Sequence, residues 1–185
     1  MKTLYELHHP PHLNLSIQDE NDAAALFALI QAEKPRLRRT LPWPDSVKNI
    51  NDTLNTIKNN RDEFFAGVAA VYVIRWDGII AGIVSFNTIR EQEGVIGYWI
   101  GEKFEGKGVV SLAVGTMIKA YINAGIVKRC VIKASVENAR SNALARRLGF
   151  AFYRIEKGGE KLGDRRIDQN IYRYHPDITR LQPPG

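Results

Sequence analysis

Cysteine is almost missing from this chain of 185 residues: there is one, Cys130. That excludes an internal disulfide and a cysteine-based zinc site, and it fits a reducing compartment. Long hydrophobic runs are missing too. The longest uninterrupted apolar stretch, residues 23–30, is far short of the roughly 18 to 20 residues that cross a bilayer, so neither a transmembrane helix nor a membrane partner is expected. Residues 1–12 mix Lys2, Glu6 and two prolines with scattered apolar side chains, without the basic and then apolar layout of a secretory signal. The expected location is the cytoplasm. Proline is absent from the middle: all eight lie before Asp45 or after Tyr174, which leaves the stretch between them as one unbroken folded body.

What is present is the composition of an ordinary globular domain, 44% hydrophobic and 25% charged. At this length roughly 70% of the unfolded chain's surface can be buried without disulfides or a structural metal. A single domain over 1–185 with its core at about 13–174 is expected, and no internal repeat is visible. Lysine and arginine total 26 against 20 acidic residues. The surplus suits an anionic partner, either nucleic acid or a phosphate-bearing cofactor, and equally a solvated basic face. The basic residues stand in small clusters (Arg36, Arg38 and Arg39; Lys128-Arg129; Arg146-Arg147; Arg165-Arg166) with no nucleic-acid motif beside them, so nucleic acid is not expected as a partner.

Leu13, Leu15 and Ile17 alternate with polar residues and read as a strand. Residues 19–22 offer caps for an amphipathic helix carrying Ala23, Leu26, Phe27 and Ile30. A Pro-bracketed loop is expected at 35–44, then a second helix capped by Asp45 or Ser46, with Val47, Ile50, Leu54 and Ile57 on its stripe. Strands are expected at 66–76 and 79–88, joined by the hairpin signal Asp77-Gly78, with a third antiparallel strand at 95–100. A glycine turn, a helix with Val110, Val114, Met117, Ile118 and Tyr121 on one face, and a strand at 127–134 follow. The crossover helix makes that strand parallel to its predecessor. A short helix at 139–147 stops at Gly149, and 150–157 and 165–174 close the chain as a strand pair. The expected fold is α+β: a mixed, mostly antiparallel sheet of about seven strands with helices on both faces.

Strand, glycine turn and helix meet at residues 98–110. The first-turn amides of a helix have no partners in the helix, its dipole favours negative charge, and Gly106 and Gly108 allow a phosphate close to the backbone. A turn that merely needs two flexible residues would look the same. The dinucleotide pattern lacks its third glycine here, and the Walker pattern lacks Gly-Lys-Ser/Thr.

Phe104-Glu105-Gly106-Lys107-Gly108 after the strand Ile96-Gly97-Tyr98-Trp99-Ile100, followed by Asn138-Ala139-Arg140-Ser141 and by Leu148-Gly149-Phe150, resembles the GCN5-related N-acetyltransferase superfamily. Trp43-Pro44, Ser85-Phe86-Asn87, Asp168 and Tyr172 look like its RimJ/RimL group of ribosomal-protein N-terminal acetyltransferases, and the ribosomal-protein-serine type in particular. The resemblance covers about 13–174. It implies acetyl-CoA in a V-shaped opening between the third and fourth long strands, its pyrophosphate on backbone amides of Gly106, Lys107, Gly108, Val109 and Val110, with the strand ending at Ile100 supplying an N–H for the oxyanion. It also implies direct attack in a ternary complex, an N-terminal α-amine of a ribosomal protein as acceptor, no metal, and a homodimer. Two positions depart from the family pattern: Glu105 replaces its Gln or Arg, and Val110 its final Gly or Ala. Neither removes an amide donor, and the Glu105 carboxylate is expected to point into solvent. Replacing Gly108 by proline is expected to abolish cofactor binding and leave the fold intact.

The resemblance gives Asn138 a place on the pantetheine amides, compatible with capping the short helix. It sets the Ser141 hydroxyl against the cofactor sulfur, as hydrogen-bond donor to the departing thiolate. Glu160 aligns with the general base of the RimL type; an exposed turn acid beside Lys157 and Lys161 is the other reading. Lys107, and Arg140 behind it, are candidates for phosphate charge, or simply solvated. Arg38, Arg39, Trp43 and Tyr98 are candidates for the acceptor groove. An α-amine with a pKa near ~8 needs less help in losing its proton than a lysine near ~10.4. His8, His9 and His12 lack metal-ligand companions and are expected in a mobile arm. Cys130 reads as a buried strand residue. The rival functions are acetylation of a small amine, such as an antibiotic or polyamine, and non-catalytic acyl-CoA sensing.

Overall fold

Alternation decides which face of a strand each side chain takes, and here it sorts the apolar residues into two layers on one sheet. A computed structural model describes residues 4–176; residues 1–3 and 177–185 of the expected domain, with Lys2, Pro183 and Pro184, lie outside the described residues. The chain forms β1 (Glu6–His9), β2 (Leu13–Ile17), α1 (Ala23–Leu37), α2 (Ile50–Ala66), β3 (Ala70–Trp76) and β4 (Ile79–Arg90). It continues as β5 (Glu93–Ile100), α3 (Val109–Asn123), β6 (Arg129–Ser135), α4 (Ala139–Arg147), β7 (Ala151–Leu162) and β8 (Arg165–Tyr174). The strands make one eight-stranded sheet in the order β1-β2-β3-β4-β5-β6-β8-β7. All neighbours are antiparallel except β5 and β6, which the crossover through α3 makes parallel. Among the described residues no helix is long and apolar enough to cross a membrane.

On β3, Tyr72 and Ile74 pack with Met117, Ile118 and Tyr121 of α3, while Val73 between them packs with Leu26 and Ile30 of α1 and Ile57 of α2. The same alternation runs along β5: Ile96 and Ile100 face the α3 layer, Trp99 the α1 layer. Burying such side chains contributes roughly 1.5–3 kcal/mol each, so a register slip on these strands would be opposed from both faces.

Three local expectations are corrected. The histidines are not in a mobile arm: His8 and His9 belong to β1, the eighth strand, and the His12 ring stacks on Trp76 at 5.0 Å with Nδ1 2.6 Å from Asp77 Oδ1. Burial of Leu4 and Leu7 holds this segment down, and the Tyr72 hydroxyl donates to the Leu4 carbonyl at 2.6 Å. Next, α1 runs through Pro35 to Leu37. Proline removes one helical N–H, but in a last turn that costs a single bond, and buried Leu37 holds the turn against the core. Finally, α2 is capped by Asn49, not by Asp45 or Ser46: Asn49 and Asp52 exchange side-chain-to-backbone bonds in a capping box. The last strand pair is also longer than expected, and its β7 limb carries Glu160 within the strand.

Candidate active site

The sheet splits where β5 and β6 stop pairing. Their parallel ladder runs from Glu93–Arg129 to Ile96–Ile132, yet β5 continues to Ile100 and β6 to Ser135. Beyond Ile96 the backbone groups along the inner edges of both strands face a gap, free to bond an extended ligand. A cleft of about 1460 Å³ opens there, lined from both faces of the sheet.

The helix α3 starts at this gap. Its cap is Gly108, at φ +73, with no side-chain cap bond and no acid in the first turn. The amides of Val109, Val110 and Ser111 therefore have no partner within the helix, and the dipole favours an anion beside them. Gly106, at φ +74, gives the preceding turn its second left-handed residue, and a Cβ at either glycine would meet nothing within 4 Å. Gly106, Gly108, Val109 and Val110 line the cleft; Lys107 is exposed and lies outside that lining. The left-handed φ also corrects the expectation for Gly108→Pro. Proline is locked near −65°, so it would break the turn and could not leave the local fold intact.

Glu105 does not point into solvent. Its side chain is 18% exposed and shared by two arginines: Arg36 Nη1 donates to Oε1 at 2.5 Å, and Arg140 pairs with Oε2. Arg36 also donates to the Ile100 carbonyl and, through Nε, to Glu33 at 2.9 Å, while Glu33 accepts from the Glu102 amide at 3.1 Å. The last turn of α1 is thus tied to the end of β5 and to the loop entering α3. Charge on this loop is balanced locally, which removes the conflict between Glu105 and an anion at α3.

At the first turn of α4, Asn138 Oδ1 accepts from the Ser141 amide at 3.1 Å, the cap expected from sequence. The Ser141 hydroxyl is hydrogen-bonded to the Tyr98 hydroxyl. Burial raises the Tyr98 phenol above its ordinary value, and the Ser141 bond and the Arg147 charge oppose the rise. Asn142, buried and unflagged by the sequence reading, donates to the carbonyls of Ser135 and Asn138 and accepts from Tyr172 and Asn170. Its signal was a polar residue on the apolar side of an amphipathic helix.

Asn170 and Tyr172 face α4, so alternation puts Gln169 on the opposite face of β8. Glu160 is hydrogen-bonded to Gln169 and lines the cleft with it; burial raises its carboxyl and the Gln169 bond opposes the rise. The cleft therefore has a carboxylate on one face and the Ser141–Tyr98 pair on the other. Trp43 lies on the Glu160 side of the sheet, 6.0 Å from Trp99, and lines the cleft with Arg39. Arg38 does not: it pairs with Asp45 at 3.1 Å and stands outside the lining. Cys130 is fully buried on β6, its thiol pushed up to about 12 by burial and the Glu93 charge, which rules it out as a nucleophile at neutral pH. Among the described residues no group of histidine, cysteine or acids could hold a metal.

Residues 12–151 match the acetyltransferase (GNAT) domain family. The chain belongs to that family. Over 162 residues it is 35% identical to the ribosomal-protein-serine acetyltransferase of Escherichia coli (strain K12), covering 86% of this chain and 90% of that one. A solved structure of RimL, the ribosomal L7/L12 α-N-protein acetyltransferase, in complex with coenzyme A superposes with a TM-score of 0.90 at 32% identity, covering 93% and 98% of the two chains. The microcin C7 self-immunity acetyltransferase MccE, in complex with acetyl-CoA and AMP, superposes at 0.86 with 35% identity, covering 89% and 92%. The split sheet and the glycine turn before α3 are thus the GNAT fold, as the motifs at 104–108 and 138–150 led one to expect. The orphan amides and the open glycines of this GNAT chain fit a diphosphate.

Proposed function

We propose that this enzyme transfers the acetyl group of acetyl-CoA to the N-terminal α-amine of a ribosomal protein beginning with serine or another small residue. The observation that carries the reading is the through-sheet cleft, with Glu160 on one face and Ser141 on the other. That division suits direct attack in a ternary complex, the acceptor entering from the Trp43 side and the cofactor from the α3–α4 side. The likeness to ribosomal-protein-serine acetyltransferases supports the choice of acceptor.

Amides of Val109, Val110 and Gly108 would hold the pyrophosphate, and the unpaired backbone of β5 and β6 the pantetheine arm. Acetyl-CoA supplies an acyl thioester. Glu160, through water, takes the proton of the amine; Ser141 donates a hydrogen bond to the sulfur that leaves; an inward N–H near the end of β5 receives the developing oxyanion. Arg39 and Trp43 border the acceptor. The compartment we propose is the cytoplasm, where such acceptors are made. We also propose a homodimer, for which Phe152, Tyr153 and Ile155, exposed on the edge strand β7, offer apolar surface.

A second reading, acetylation of a small amine, is favoured by the likeness to MccE. Thiol release from acetyl-CoA, measured with a panel of ribosomal-protein N-terminal peptides and with small amines, separates the readings. Turnover on serine-starting peptides supports the first, turnover confined to small amines the second, and binding without turnover would leave only a sensor.

A further inference from the structure

Ser141 is held so firmly that one torsion is left to decide what its hydroxyl does. Its amide is fixed by Asn138, and its neighbour Asn142 uses both amide hydrogens and both lone pairs of its oxygen, at 2.7 to 2.9 Å, to lock α4 onto β6 and β8. The backbone of the first turn of α4 is therefore held, and the bond to the Tyr98 hydroxyl keeps the Ser141 Oγ on the cleft wall. What remains free is the direction of its hydrogen.

Among the described residues the one hydrogen-bond partner of Ser141 Oγ is the hydroxyl of Tyr98. Two arrangements satisfy that bond. If serine donates, its hydrogen is spent on the phenol and none is left for a ligand. If tyrosine donates, the serine hydrogen turns outward into the cleft. A phenol is the more acidic hydroxyl and the better donor, and its oxygen, conjugated with the ring, is the poorer acceptor. Burial keeps the Tyr98 phenol protonated at neutral pH, so the donor is always present.

We propose that Tyr98 is a positioning residue: by donating its hydrogen to Ser141 Oγ it turns the serine hydrogen toward the leaving sulfur. This rests on the acetyl-transfer reading above and deepens it. The amine lone pair forms the new C–N bond, the amine proton passes to water and Glu160, and the C–S bond breaks with its electron pair going to sulfur. Ser141 steadies that pair with a hydrogen bond, and Tyr98 keeps its own proton throughout. The phenol acts through serine and touches no reacting atom.

A double-mutant cycle tests this, using Tyr98→Phe, Ser141→Ala and the pair, with a serine-starting peptide and acetyl-CoA. Ser141→Ala should lower kcat by roughly 10- to 100-fold. Tyr98→Phe, which keeps the ring and its packing, should lower kcat roughly 3- to 10-fold, the worth of one neutral hydrogen bond, with both KM values and the coenzyme A affinity within about twofold. The double variant should be no slower than Ser141→Ala alone, because a hydroxyl that is gone cannot be oriented. Multiplying effects, or a raised KM at unchanged kcat, would show Tyr98 acting on substrate independently and overturn the inference. If Ser141→Ala is slow and Tyr98→Phe is not, the inference fails and the acetyl-transfer reading stands. If Ser141→Ala is fully active, the role of serine in that reading fails with it.

Discussion

At Glu160 two influences oppose each other: burial lifts the carboxyl above its ordinary value of 4.5, and the hydrogen bond from Gln169 pulls it back. Burial is the larger, so the base stays protonated to a higher pH than a free carboxylate would. Turnover should accordingly fall on the acid side through a value above 4.5. Glu160→Gln should be most deficient where the α-amine is protonated, with the deficit narrowing as pH rises past ~8 and solvent takes over the proton. Turnover against pH for both proteins checks this; a deficit constant with pH would make Glu160 an ordinary strand acid. Sequence singled out Glu160 only through its alignment with the RimL type, and put it in a strand-and-turn segment that is strand throughout. It could not reach Gln169 or the opposite face, since the pairing of β7 with β8 carries irregularities between Glu156 and Glu160 that no periodicity announces. Arg38 and Arg39 illustrate the same limit. Adjacent and chemically equal, they part where α1 ends, one going to Asp45 and the other to the cleft.

At the scale of elements, the capping box on α2 is a local device with a local cost. Asn49→Ala should lower stability by about 1 kcal/mol, a shift of roughly 2–4 °C in Tm for a chain of this size, and leave coenzyme A affinity unchanged. Thermal melting and calorimetry read the two quantities. Its signal, Asn followed three residues later by Asp, was there to be read, but counting Val47 into the apolar stripe moved the expected cap back to Asp45 or Ser46. The tie between α1 and the α3 loop was not legible at all, because Arg36 and Glu105 are 69 residues apart and meet only once the sheet is built. Removing Arg36 leaves Glu33 and Glu105 partly buried beside the anion site without the cation they share. Arg36→Gln should therefore weaken coenzyme A binding at least tenfold, about 1.4 kcal/mol, and adding Glu105→Gln should recover part of the loss. Calorimetry on the single and double variants decides it; unchanged affinity in Arg36→Gln would remove the network from cofactor binding.

Across the whole molecule, function follows from one interrupted ladder. Had β5 and β6 paired to their ends, the sheet would be closed at its centre, with no path between the α1–α2 layer and the α3–α4 layer. The antiparallel neighbours β3, β4 and β5, the parallel pair and helices on both faces followed from apolar alternation and the crossover rule; the insertion of β8 between β6 and β7 did not, nor did the eighth strand, because β1 carries only Leu7 as a buried residue among histidines and an acid. The passage through the sheet sets the central claim: an acceptor amine enters opposite the cofactor, and a weak base suffices for it. An α-amine near ~8 is deprotonated far more readily than a lysine near ~10.4, a gap worth roughly 3 kcal/mol at neutral pH. The direct measurement is a peptide with a free N-terminal serine and one internal lysine, incubated with the enzyme and acetyl-CoA at neutral pH and mapped by tandem mass spectrometry. Acetylation of the serine α-amine with the lysine untouched is the expected result. A modified lysine beside a free N-terminus would contradict the assignment.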